Sequence, residues 1–385
     1  MIRLDDPQFW TGDVDTALAA LRRDDPVHWY AEGGFWALTR HADVMAVSRD
    51  PVTFKSGAGT LLQDRTRAVT PDQSILFMDP PEHARYRKIV STQFTPRAVA
   101  ALEARVREIT DEVLTAIDPS DEVDFVDAIT APIPMLVIAE LLGVPVEDRD
   151  RFRRWSDAMM DAATEMSQES LAQAAELYVY FNEHLAQRRE QPGDDLLSRL
   201  VSAEVDGERL TEWELLGFCM TLLVAGNETT RNLLSGGLLA LHDHPEQRAL
   251  ARQDVGRTVE ELLRFVTPIM LFCRTATRDT TIGTQNIREG DFVVMLYISA
   301  NRDEDVFGPT ASQLDVSRDP NPHLGFGFGE HFCLGAGLAR LEARVVLEEI
   351  LSRFPSYAVT GEPDRVPSTL LRGIAKLPGV LAPKQ

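Results

Sequence analysis

Cys333 stands in Phe326-Gly-Phe-Gly-Glu-His-Phe-Cys-Leu-Gly335, a sulfur framed by glycines and aromatic rings. Gly325, Gly327 and Gly329 before it and Gly335 after it let the backbone turn tightly around the side chain. Residues 336–350 carry a helical pattern, so the sulfur would lie at a helix start, where free N–H groups and the dipole favour a thiolate. An electron-rich sulfur in an apolar loop with Phe326, Phe328 and Phe332 suits a soft metal centre such as haem iron. The simpler use of such a cysteine is as a small buried hydrophobe. A dinucleotide-binding turn is excluded, because the glycines do not complete the Gly-x-Gly-x-x-Gly spacing.

A second polar group follows an apolar run. Residues 218–224 lead into Ala225-Gly-Asn-Glu-Thr-Thr230, and Thr211-Glu-Trp-Glu214 has the spacing of a capping box. A helix is expected from there to about His242, roughly 30 residues and about 45 Å long. Glycine, an acid and two hydroxyls in its interior cost local stability, which points to a site. Threonines bonding the carbonyl four residues back would loosen the helix and leave room for water or a diatomic molecule beside Gly226. The competing expectation pairs Glu228 with Arg231 on a solvated face. Glu261-Leu-Leu-Arg264 puts an acid and a base on one helix face, a pattern too common to identify anything alone.

The elements that must position these residues are mostly helices. A strand over 34–39 precedes a helix from His41, and helices are expected from Pro81 through Phe94, over 96–117, over 131–144 and across 151–189. In the last of these, Trp155, Met159, Met160, Met166, Leu171, Tyr178, Tyr180 and Phe181 read as core or as an adaptable apolar roof. Residues 56–78 lack periodicity and suit a substrate-facing loop, while 280–296 alternates like short strands. The expected fold class is mainly α with a smaller β part, α+β.

No linker, repeat or low-complexity tract divides the 385 residues, so one domain over 1–385 is expected. The net charge of −21 disfavours nucleic acid and anionic membranes as partners. The residues after Met1 lack the apolar stretch of a signal or membrane anchor, so a cytoplasmic location is expected, and three scattered cysteines make no disulfide framework.

In this order and together, the three segments resemble the cytochrome P450 family over nearly the whole chain. Residues 326–335 fit its haem-binding loop, 225–230 its oxygen-binding helix, and Glu261 with Arg264 its Glu-x-x-Arg pair. The resemblance implies the cytochrome P450 fold, haem b (iron protoporphyrin IX) with Cys333 as proximal iron ligand, and O2 as co-substrate. Phe326, Gly335, Ala225 and Gly226 would lie against the haem, and His83, Arg87, Arg274 and His331 match positions that hold its propionates. Glu228 and Thr229 would be the acid and alcohol that deliver protons while oxygen is split, with Thr230 a secondary hydroxyl. Gln313 stands about where many members carry an arginine as third partner of Glu261 and Arg264, with His323 the other candidate.

The activity so implied is a monooxygenase inserting one oxygen atom into a C–H bond of an apolar molecule. Its electrons would come from a separate ferredoxin and an NAD(P)H-dependent ferredoxin reductase, docking near Arg97, Arg340 and Arg344. Leu76, Phe77, Met78, Val224, Ala225, Ile269, Met270 and Leu271 are expected to form the pocket. Val205-Asp-Gly-Glu-Arg-Leu210 and Asn321-Pro-His-Leu-Gly-Phe326 are similar to actinobacterial members acting on steroids and branched lipids, so a steroid, fatty acid or terpenoid is expected. The alternatives are tailoring of a secondary metabolite such as a macrolide or peptide, a peroxide-driven oxygenase, which Glu228 and Thr229 disfavour, and a haem protein that only binds or senses.

Overall fold

Thr211 accepts a hydrogen bond from Glu214 N while the Glu214 side chain accepts from Thr211 N, and this closed capping box starts the longest helix of the molecule. The structure, a computed structural model, describes residues 2–66, 74–164, 168–193 and 195–382, without the side chains at 157, 159–164, 170 and 171. Met159, Met160, Met166 and Leu171 of the expected apolar roof, and positions 67–73 of the expected substrate loop, therefore lie outside the described residues. Trp155 and Phe181 are core.

Five helices surround the site: α1 (Glu82–Ser91), α2 (Pro132–Leu141), α3 (Glu212–Asp243), α4 (Val255–Val266) and α5 (Ala336–Arg353). The buried residues of α2, α3, α4 and α5 share one apolar cluster. Gly236 and Gly237 let α4 approach α3, since a Cβ at Gly236 would lie 2.7 Å from Val266 Cγ1 and one at Gly237 3.0 Å from Leu262 Cδ1. The expected helix over 96–117 is two helices, Pro96–Ala100 and Glu103–Thr115.

The main sheet has β1 (Val27–Tyr30), β2 (Phe35–Leu38), β3 (Phe54–Lys55), β4 (Leu271–Ala276) and β5 (Phe292–Leu296) in the order β1-β2-β5-β4-β3. Strand β5 pairs with β2 in parallel, Val293 opposite Trp36, and with β4 antiparallel, Val293 opposite Arg274. All five β5 residues are buried, so this strand is covered on both faces and does not alternate as expected. The fold is mainly helical with a smaller β part, and among the described residues no helix is long and apolar enough to cross a membrane.

Candidate active site

The loop before α5 folds back on itself. Cys333 N donates to Phe326 O at 2.9 Å and Phe332 N to Gly329 O at 3.1 Å. Gly327 and Gly329 have φ of 68° and 75°, and a Cβ at Gly329 would overlap the Ser48 carbonyl oxygen. Only glycine satisfies both demands there. The Cys333 side chain opens onto a cavity between this loop and α3. Burial pushes its thiol up, and the Gly335 N–H with Arg87 and Arg340 pulls against that without prevailing. The Gly335 N–H at the helix start thus favours the thiolate, as expected, against the opposing effect of burial, and metal coordination deprotonates such a thiol.

The cation and donor side chains expected at the propionates meet on the same cavity. His83 and Arg87 come from α1, Arg274 from β4, and His331 from the cysteine loop. The His83 and His331 rings are 4.2 Å apart, and Ser56 Oγ is 3.1 Å from His331 Nε2. Arg87 Nη2 donates to Phe332 O at 2.6 Å and Arg274 Nη1 to Cys273 O at 2.7 Å. His83 Nε2 is buried without a hydrogen-bond partner. Burial and then the Arg87 charge lower the His83 pKa to about 4, and burial with Arg274 and His83 lowers that of His331 to about 2. Two guanidiniums and two imidazoles converging on one wall, with an orphaned nitrogen among them, fit a ligand with carboxylates.

Ala225, Gly226, Thr229 and Thr230 line the cavity from α3. Thr229 Oγ1 donates to Ala225 O at 2.6 Å, as expected, yet α3 stays helical through this segment. A Cβ at Gly226 would lie 2.6 Å from Ile138 Cδ1, so this glycine lets α2 approach while it also lines the cavity. Glu228 is buried outside the cavity lining, with Arg231 Nη1 2.9 Å from its Oε1. The expected pair with Arg231 exists, but on a buried face.

Ile75, Leu76, Phe218, Leu222, Ile269 and Phe272 supply apolar wall. Met270 and Leu271 do not: they are buried in the core with β1 and β2 residues. Phe77, Met78 and Val224 are partly buried outside the lining. Among the polar cavity residues that the sequence did not point to are Thr60, Thr221, Tyr297 and Glu342. Glu342 is buried on α5 with Oε2 unpartnered, and burial pushes its carboxyl well up. Its one signal was an acid amid an apolar helix stripe.

Behind the cysteine loop, Arg264 and Glu261 form two hydrogen bonds of 2.8 and 2.7 Å, both fully buried. The third partner is neither Gln313 nor His323. Arg318 Nε lies 3.2 Å from Glu261 Oε2, Gln313 contributes only its carbonyl to Arg264, and His323 turns to Glu260 at 3.1 Å. The expected basic patch is also partly neutralised. Arg340 makes two bonds to Glu260 and Arg344 pairs with Glu103 and Glu348, while Arg97 is exposed.

The family model for cytochrome P450 matches residues 147–378. A methyl-branched lipid omega-hydroxylase of Mycobacterium tuberculosis is 38% identical over 403 residues, 98% of this chain and 94% of that protein. A vitamin D(3) 25-hydroxylase of Pseudonocardia autotrophica is 39% identical over 98% of this chain and 95% of its own. The solved structure of Mycobacterium marinum cytochrome P450 CYP268A2 in complex with pseudoionone superposes with a TM-score of 0.86, at 39% identity and 97% coverage of both chains.

Proposed function

Because the chain belongs to the cytochrome P450 family and is a monooxygenase of that family, using haem and O2, we propose that it inserts oxygen into a C–H bond of a branched apolar lipid, steroid or terpenoid. The observation that carries this reading is one cavity where Cys333, a carboxylate-binding cluster, Thr229 and an apolar wall meet. Relatives of the chain are named for a methyl-branched lipid, for vitamin D(3) and for a complex with pseudoionone.

In this proposal Cys333 would ligate the iron of haem b, and Phe326, Gly335, Ala225 and Gly226, which line the same cavity, would help to hold the haem. His83, Arg87, Arg274 and His331 hold the two propionates, which gives the orphaned His83 nitrogen a partner. When bound, the haem supplies the one-electron chemistry that activates O2 for insertion into a C–H bond. Thr229 Oγ1 spends its proton on Ala225 O, so its lone pairs are left to hold a water in the cavity; releasing that carbonyl frees the proton for transfer. Glu228, one position earlier and outside the lining, would replenish that proton. The apolar wall orients the carbon skeleton and keeps bulk water out.

Electrons come from a separate ferredoxin, reduced by an NAD(P)H-dependent reductase, in the cytoplasm. A shallow groove on the other side of the cysteine loop, lined by Arg87, Phe94, Leu334 and Arg340, supports docking there. The test of the substrate reading is a titration of the ferric protein with steroids, fatty acids and terpenoids, read by the haem absorption. A saturable low-spin to high-spin shift with one class identifies it. Silence across the panel, with an intact thiolate-haem spectrum, removes the lipid reading.

A further inference from the structure

Thr221 interrupts the apolar wall of the cavity, and its hydrogen bonds can be counted. Thr221 Oγ1 lies 2.7 Å from Gly217 O, to which it donates, and 3.1 Å from Ser74 Oγ. A hydroxyl has one proton, so with that proton on Gly217 O the bond to Ser74 must be donated by Ser74. Ser74 Oγ also accepts from Leu76 N at 3.4 Å. Both protons are therefore committed to protein oxygens, and what remains at this polar corner is acceptor capacity alone.

Of the other polar groups lining the cavity, Thr60 is tied through its carbonyl to Cys273 N, beside Arg274, with its Oγ1 buried and unpartnered; Tyr297 Oη approaches Gly327; Glu342 projects from α5, the helix that follows Cys333; and Thr229 and Thr230 lie further along α3. Thr221 instead stands eight positions before Thr229 on α3, about 12 Å along the helix. Its neighbours on the wall are Phe218 and Leu222, which offer no competing polar group.

Resting on the lipid reading above, we propose that the substrate is an apolar alcohol whose hydroxyl donates to Thr221 Oγ1, about two helical turns from the carbon that is oxidised. A ketone, ether or ester of the same skeleton brings only an acceptor to a corner with no proton to give, and leaves that acceptor unpaired. Thr221 is thus a specificity-determining residue, and Ser74 fixes its lone-pair direction.

The test compares matched pairs on the haem-loaded protein, farnesol with its methyl ether and cholestanol with cholestanone, by calorimetry and by the haem spin shift. The alcohol is expected to bind about 3- to 10-fold tighter than its partner. Thr221→Val should abolish that preference, and Thr221→Ser, which keeps the hydroxyl, should restore it. Equal binding within both pairs, or tighter binding of the ether or ketone, overturns the alcohol assignment while leaving the lipid reading in place. A preference that survives unchanged in Thr221→Val overturns the role of Thr221. Absence of binding by all four compounds overturns the lipid reading and this inference together.

Discussion

At the scale of single residues, the proposal gives the chemistry to Cys333 and Thr229, and the place of both on one cavity was suggested by the local sequence that frames them. Glycines surround the one, and a polar interruption of an apolar helix marks the other. Cys333→Ser is expected to abolish the thiolate-haem spectrum and oxidation together; native haem ligation in that variant would defeat the assignment. Thr229→Ala is expected to bind the same ligands and consume oxygen, while the product formed per oxygen consumed falls on the order of tenfold or more, as loss of a positioned proton-transfer group predicts. Simultaneous measurement of oxygen uptake and product checks it. The orientation of Glu228 was not readable in the same way. One step along a helix turns a side chain by about 100°, so adjacent residues face different surroundings, and only packing decides which face meets the cavity. Gly226 shows the same limit, since its partner Ile138 lies on another helix.

Among the elements, the helices were legible from periodicity and caps, and α3 follows its capping box as expected. Thr211→Ala should destabilise the protein by about 1 kcal/mol, measured as a shift in denaturant midpoint at constant slope. Strand β4 was missed because the apolar run after Pro268 reads equally as strand or helix, and its pairing with β5 is a long-range choice. The Glu261, Arg264 and Arg318 knot was half legible. The acid and base three residues apart were plain, whereas Arg318 comes from an irregular segment with no periodicity to place it. Arg318→Ala leaves Glu261 with Arg264, the Asn321 amide and the Asp315 N–H, and is expected to cost about 3 kcal/mol, in the range for breaking a buried ion pair. A midpoint shift indistinguishable from zero would remove Arg318 from the knot.

For the whole molecule, the charge of −21 means that the proposed ferredoxin, if acidic, would be repelled by the average surface and held only locally. With Arg340 and Arg344 already paired, Arg97 is the residue whose reversal to Glu should slow electron transfer most, a rate measured with reduced ferredoxin at low salt. Glu260 gives the fold a pH dependence of known sign. Burial opposes its ionisation, but its bonds from His323 and Arg340 outweigh burial and bring the carboxyl from the ordinary 4.5 down to about 2. A depressed acid stabilises the fold above its unfolded value and loses that contribution as pH falls toward the folded one. The stability gap between the native chain and Glu260→Gln should therefore close between pH about 4.5 and about 2, and a gap that stays constant over that window would contradict the pairing. Arg318 reaches back 57 positions to close on Glu261, a join that requires the intervening chain to be in place first. Contacts that form after the folding barrier slow the escape from the native state more than they hasten its arrival, and this join is expected to be one of them. The knot behind the cysteine loop should then show itself chiefly as a longer working half-life at elevated temperature.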